Sequence, residues 1–187
     1  MPHCTRPQHA ASRPVHVTMR AVGDVVSLRE PPCVIALEGA LARVSRDAFR
    51  LVHYSIQASH VHLIVEAHDR EALLAGLRGL AIRTARAINR AHGRRGRVWA
   101  DRYHARALGS PREVRIALVY VLQNHRPRGG QCRAPDPHSS GWYFDGWRDW
   151  RPPPRDGPSP VRAPRTWLAA EGWKRYGRIS LKEAPAS

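Results

Sequence analysis

The sequence predicts an α+β fold of the ferredoxin-like split βαβ type, with an antiparallel sheet, helices on one face and the other face free. Three observations predict it. Two stretches, 14–22 and 60–67, alternate their side chains as strands do. One long stretch, 70–91, repeats apolar residues at helical spacing. The elements follow one another in the order β-α-β-β-α-β-α, and the first six match the split βαβ pattern.

Each element has its own warrant. Pro14 to Val22 sets Val15, Val17 and Met19 against His16, Thr18 and Arg20, which gives a strand with one buried face. Gly23-Asp24 interrupts it. Pro31-Pro32 then opens a helix that carries Val34, Leu37, Leu41, Val44 and Ala48 along one side. Phe49 to Gln57 is a second strand and His60 to Ala67 a third. Only Ala58-Ser59 separates them, so they form a hairpin. Asp69 caps a helix that runs to about Ala91, with Leu73, Leu77, Leu80, Thr84 and Ile88 inward. The turn Gly93-Arg94-Arg95-Gly96-Arg97 ends it. A fourth strand spans about Arg102 to Leu108. Ser110-Pro111-Arg112-Glu113 reads as a capping box with proline in the first helical position. The helix it starts carries Val114, Ala117, Leu118 and Val121 and ends near Asn124.

The chain of 187 residues suits one domain with an extension. Residues 1–13 are expected to be a disordered lead, 14–130 the domain and 131–187 an irregular extension rich in Trp, Pro and Arg. The extension has too few periodic apolar positions for a core of its own. Its Trp142, Trp147, Trp150, Trp167 and Trp173 either pack back onto the body or stack on bases, and packing is the favoured reading.

Composition narrows the function. There are 31 basic against 15 acidic residues, a formal charge of +16 and a pI near 11.4. All the basic residues except Lys174 and Lys182 are arginine. Base composition of a genome explains arginine in place of lysine, but not the excess of positive charge. Arginine grips phosphate in bidentate fashion and stacks on bases, so the expected partner is nucleic acid. The candidate DNA-binding cations are Arg83, Arg86 and Arg90 along the long helix, then Arg94, Arg95, Arg97, Arg102 and Arg126; the bland alternative is a solvated helix face. Cys4, Cys33 and Cys132 are scattered and odd in number, without a disulfide or zinc spacing, which suits a reducing cytoplasm. No apolar run is long enough to span a membrane, and no signal-peptide core is present.

The chemistry centres on His60-Val61-His62. Two residues apart on a strand, both imidazoles leave the same face, where they are able to hold a divalent metal; the alternative is a pair of satisfied histidines on a half-buried strand. Tyr120 and Asn124 stand one helical turn apart on the last helix. A metal on His60, His62 and the Asn124 amide oxygen would polarise a phosphodiester that the Tyr120 phenol attacks. Taken singly, Tyr120 reads as a core tyrosine and Asn124 as a helix cap. Tyr103 is a reserve nucleophile. Glu66, on the histidine face of the same strand, is the one carboxylate that a water-activating hydrolase would have there.

His60-Val61-His62 within SHVHLIVEA resembles the His-hydrophobic-His motif of single-tyrosine transposases of the IS200/IS605 type and their REP-associated relatives. Gly96 to His104 (GRVWADRYH) resembles the Gly, apolar pair, Arg-Tyr-His segment of the REP-associated group. Tyr120-Val121-Leu122-Gln123-Asn124 resembles its Tyr-Ile-x-x-Asn-Pro signature. The likeness covers about 14–130 and keeps the three motifs in order; DPHSSGWYFDGW resembles the Ser-Ser and aromatic tail of the group. It implies an HUH endonuclease core that cuts single-stranded DNA near hairpins, leaves a 5′-phosphotyrosine and a free 3′-OH, and binds Mg²⁺ or Mn²⁺. Carried over by position, His60, His62 and Asn124 are metal ligands and Tyr120 the nucleophile. Ser59 stands where the relatives have Asn, and His125 where they have Pro, with the proline at Pro127. The expected setting is a prokaryotic, nucleoid-associated cytoplasmic protein, monomer or homodimer. The alternative is a domesticated, non-catalytic nucleic-acid-binding regulator on the same scaffold.

Overall fold

The structure, a computed structural model, describes residues 10–25, 27–100, 103–124, 133–154 and 159–185. Residues 1–9 of the expected lead lie outside them, as do Cys4, Cys132, Arg102, His125, Arg126 and Pro127.

Four strands and three principal helices form the body: β1 (Val15–Arg20), α1 (Pro31–Leu41), β2 (Phe49–Ile56), β3 (His60–Ala67), α2 (Arg70–Ala91), β4 (His104–Ala107) and α3 (Pro111–Gln123). The sheet order is β2-β3-β1-β4 with every pairing antiparallel, the α+β arrangement that the sequence predicts. Cross-strand partners share a face. The odd positions of β1 and β3 (Val15, Val17, Met19, Val61, Leu63, Val65) therefore form one layer, packed against Leu37 and Leu41 of α1 and Leu77, Leu80 and Ile88 of α2. Asp69 Oδ1 accepts from Ala72 N at 2.7 Å and starts α2, whose buried residues are Leu73, Leu77, Leu80, Thr84 and Ile88.

The even face is not free, contrary to expectation. It carries a second core, in which Val52 and Ile64 meet Val114, Leu118 and Val121 of α3 and Trp147, Trp173 and Ile179 of the C-terminal segment. An extra residue in β2 helps to build it. The register steps from Leu51 opposite Val65 to His53 opposite Ile64, so Val52 and His53 both turn toward α3.

Three anchors hold the irregular C-terminal chain to this face. Arg29 donates to both carboxylate oxygens of Asp136 at 2.8 Å and to Ile56 O at 2.7 Å. Tyr54 N donates to Ser140 Oγ at 3.0 Å. The Glu66 carboxylate accepts from Arg165 N at 2.7 Å, Thr166 N at 2.9 Å and Thr166 Oγ1 at 2.8 Å. Trp147 and Trp173 are buried and their indole N–H groups donate to Gly141 O and Ala169 O.

Helix α1 also departs from expectation, ending at Leu41 instead of continuing through Val44 to Ala48. Arg43 N and Val44 N bond three residues back, to Ala40 O and Leu41 O, and the chain tightens and turns. Val44 stays buried beyond the helix, while Ala48 is exposed. The apolar spacing reported burial there, not helix. Ser110 Oγ caps α3 at Glu113 N, 3.2 Å, but Glu113 returns its carboxylate to Gly109 N, 2.7 Å, one residue before the capping-box position.

Two predictions follow from this packing. A Cβ on Gly76 would overlap the Phe49 ring, whereas Gly79, one turn on in α2, has open space around it. Gly76→Ala is expected to destabilise by about 1–3 kcal/mol through overpacking. Gly79→Ala is expected to stabilise by roughly 0.5–1 kcal/mol through helix propensity. Urea unfolding of the two variants reads both. The second concerns His53, which burial pushes down to about 4 and whose Nδ1 lies 3.1 Å from Ser140 Oγ. The unfolded chain binds a proton near pH 6.5 that the folded chain refuses until about pH 4, so stability is full above 6.5 and falls with pH through that window. The loss from His53 is about 3 kcal/mol at its limit. Melting temperature against pH is expected to fall less steeply in His53→Gln than in the parent chain.

Candidate active site

The pleat brings the site together on the even face. Ser55, His62, Thr18 and His104 form one cross-strand row, His53, Ile64, His16 and Arg106 the next, and Arg20 pairs with His60. Helix α3 lies above these rows and lowers Tyr120 onto the histidines. The His60 and His62 ring centroids are 4.6 Å apart, with planes at 86°. Tyr120 stands edge-on to His62 at 4.9 Å and 84°. His16 is 5.4 Å from His62 and 5.7 Å from Tyr120.

Hydrogen bonding sets the orientation of His62. Its Nδ1 lies 3.1 Å from Thr18 Oγ1, while its Nε2 is buried with no hydrogen-bond partner among the described residues. In the tautomer whose Nδ1–H donates to the hydroxyl, Nε2 carries the lone pair. His60 Nδ1 lies 3.2 Å from Ser59 Oγ. The environment keeps the rings neutral. Burial first, then the neighbouring His60 and His16, pushes His62 down to about 3. Burial, Arg106 and His104 push His16 down to about 4. Burial and Arg20 lower His60. A neutral imidazole is the form that binds a metal. Among the described residues no three His, Cys, Asp or Glu side chains converge on one point, so His60 and His62 would need amide, phosphate or water oxygens beside them.

Asn124 caps the C-terminus of α3, half-buried, one turn past Tyr120. The expected cations lie elsewhere. Arg83, Arg86 and Arg90 are on α2, across the sheet from the histidines. Arg94 is tied to Asp24 at 2.8 Å and Arg97 Nε to Trp99 O at 2.7 Å, while Arg86, Arg90 and Arg95 are exposed. Tyr103 packs on the α1–α2 core, so it stands on the face opposite His62 and is not a reserve nucleophile for that site. Glu66 is spent on Arg165 and Thr166, and offers no base to the histidine pair.

Sequence reasoning passed over His16, Thr18, Arg20, His104 and Arg106. The signal was present in part: His16, Thr18 and Arg20 are the polar half of the β1 alternation, and any strand beside β3 turns that half toward His60 and His62. What was missing was the knowledge that β1, and not β2 alone, is the neighbour of β3.

Residues 36–124 match the family model described as "Transposase IS200 like", a span that includes His60, His62 and Tyr120 and ends on Asn124. Nothing among curated proteins matches the chain. A solved structure, "Structure of the REP associates tyrosine transposase bound to a REP hairpin", superposes with a TM-score of 0.52 at 17% identity. The match covers 66% of this chain and 72% of that one, and the two share their fold. Residues 36–124 of this chain are thus similar to the IS200-like transposase family, and the chain shares the fold of a REP-associated tyrosine transposase.

Proposed function

We propose that the protein is a metal-dependent single-stranded DNA endonuclease and strand transferase that acts at hairpin-containing DNA through a 5′-phosphotyrosine. One observation carries the reading: Tyr120 stands edge-on, 4.9 Å from His62, whose buried Nε2 has no partner among the described residues. An unsatisfied buried nitrogen costs roughly 1–3 kcal/mol, and a ligand for it removes that cost. The family match and the hairpin DNA bound by the structural neighbour support the same reading.

The residues fit a divalent cation. His60 and His62 would hold it through ring nitrogens and Asn124 through its amide oxygen. Two imidazoles favour Mn²⁺ on softness and leave Mg²⁺ acceptable. Bound there, such an ion would polarise the non-bridging oxygens of the phosphate. The chain's own groups do the rest. The Tyr120 phenol loses its proton and its oxygen attacks phosphorus in line. The bond from phosphorus to the 3′ oxygen breaks, and that oxygen takes up a proton to leave as a free 3′-OH. The 5′ phosphate remains on Tyr120, and attack by another 3′-OH reverses the step and rejoins DNA. Arg20, Arg106 and His104 flank the histidines and would hold the strand against the sheet. Arg83, Arg86, Arg90, Arg94, Arg95 and Arg97 would bind more distant phosphates of the hairpin, and Arg102 and Arg126, outside the described residues, are proposed as DNA-binding with them. In this reading residues 14–130 are the nuclease, and the described residues of 131–187 close its α3 face.

Labelled single-stranded DNA with hairpins, incubated with and without Mn²⁺ and run on a denaturing protein gel, tests it. The expected result is a metal-dependent, label-bearing band that Tyr120→Phe reduces by on the order of 10³-fold or more, with DNA affinity kept. An adduct that persists in Tyr120→Phe would falsify the assignment of the nucleophile. Binding without cutting would favour the regulator, and cutting without an adduct a water-using hydrolase. Thr18→Val removes the group that orients His62, and Mn²⁺ affinity by calorimetry is expected to fall about 10- to 100-fold.

A further inference from the structure

We propose that the cleft at the free edge of β4 is a nucleotide subsite, which takes one base and phosphate of the single-stranded DNA that the Tyr120 site acts on. The inference rests on the single-strand reading above. The cleft encloses about 440 Å³ between β4 and the N-terminal turns of α2, a size for a small organic ligand. Its floor is apolar: Leu73, Leu74 and Tyr103 line it together with the alanines of β4. Leu74 is 41% exposed, although its neighbour Leu73 is buried. Its rim is cationic, made of Arg13, Arg70 and Arg106. Among the described residues Arg13 and Arg70 have no ion-pair partner, and Arg106 has only Glu113 at 3.9 Å. Among the described residues no carboxylate lines the cleft.

An aromatic and apolar floor beneath guanidinium groups is what a base and its phosphate require together. β4 pairs only with β1, so its outer edge would also accept a protein strand. Charge decides between them. A second copy of a chain of formal charge +16 meets three arginines there unfavourably, and a nucleotide meets them favourably.

Position links the cleft to the chemistry. His104 shares a cross-strand row with Thr18 and His62, two strand spacings or about 10 Å away. His104 and Arg106 leave β4 on the histidine face and Ala105 and Ala107 on the other, and the cleft, lying at the strand edge, is lined by all four. A strand held over His62 and followed along this row crosses the β4 edge and reaches the cleft. The base lodged there would lie a short distance along the strand from the scissile phosphate, and would fix which phosphate meets Tyr120.

The experiment uses full-length Tyr120→Phe protein in EDTA, with fluorescein-labelled hairpin oligonucleotides that carry a mixed-sequence single-stranded flank. An abasic site is moved along the flank and affinity is read by anisotropy. One position is expected to weaken binding by about fivefold or more, in keeping with the loss of a single stacked base. In Leu74→Glu, which places a carboxylate on an exposed helix position, that position is expected to lose its effect and overall affinity to fall. Circular dichroism of Leu74→Glu shows that the fold persists. Equal sensitivity at all positions, or Leu74→Glu binding like its parent, overturns the subsite alone. A Leu74→Glu change in oligomeric state with DNA affinity unaltered gives the edge to a second copy and overturns it too. Failure of the parent to bind any single-stranded DNA overturns the functional reading and the subsite with it.

Discussion

Everything in this molecule depends on β3 being buried on both faces while keeping strict alternation. Val61, Leu63 and Val65 lie in the α1–α2 core with almost no exposure. Each contributes about 1.5–3 kcal/mol by leaving water. A slip of one residue would put all of them on the other face and the imidazoles into the apolar layer. The unsatisfied Nε2 of His62 opposes this register by roughly 1–3 kcal/mol, which is less than the three side chains supply together. The register is thus fixed by the residues that have no chemistry, and the histidines are carried into burial by it.

The second layer makes that burial matter. Helix α3 alone would leave the even face partly wet. The C-terminal segment closes it with Trp147, Trp173 and Ile179, pinned at Asp136, Ser140 and Thr166. Each pin satisfies a polar group that would otherwise be stranded: Arg29 finds a bidentate carboxylate and Glu66 finds three donors. Exclusion of water on this side is the main cause that keeps His16 and His62 unprotonated.

Much of the α+β body was legible because its elements bury one face and so leave a period in the sequence. The limits of β3 and the five inward residues of α2 are read directly from alternation and from helical spacing. The covered even face was not legible. Its core is made of Val52, displaced by a bulge, of Ile64 amid polar neighbours, of Trp147 on irregular backbone and of Trp173 in a short 3-10 turn, none of which produces a period. The end of α1 was missed because Val44 is buried by a turn that keeps the helical spacing without the helix. For the site, the pairing of His60 with His62 on β3 and of Tyr120 with Asn124 at the end of α3 comes from local motifs. His16 and Thr18 enter through strand order, a property of the whole chain that no short motif contains.

Strand order has a further consequence for how the protein comes into being. β1 is the first strand in sequence yet lies inside the sheet, between β3 and β4. The contact of Thr18 with His62 spans 44 residues and that of Glu66 with Arg165 spans 99. During synthesis β1 emerges with neither neighbour available, and an unpaired apolar strand is the kind of segment that aggregates or recruits a chaperone. Closing such long loops before any pairing rewards them slows folding. The β2–β3 hairpin, joined by three residues, is the natural nucleus, and β1 must be retained nearby until that hairpin forms. The rate at which the stretch from β1 to β3 is synthesised, and not only the finished sequence, therefore bears on how much folded protein a cell obtains.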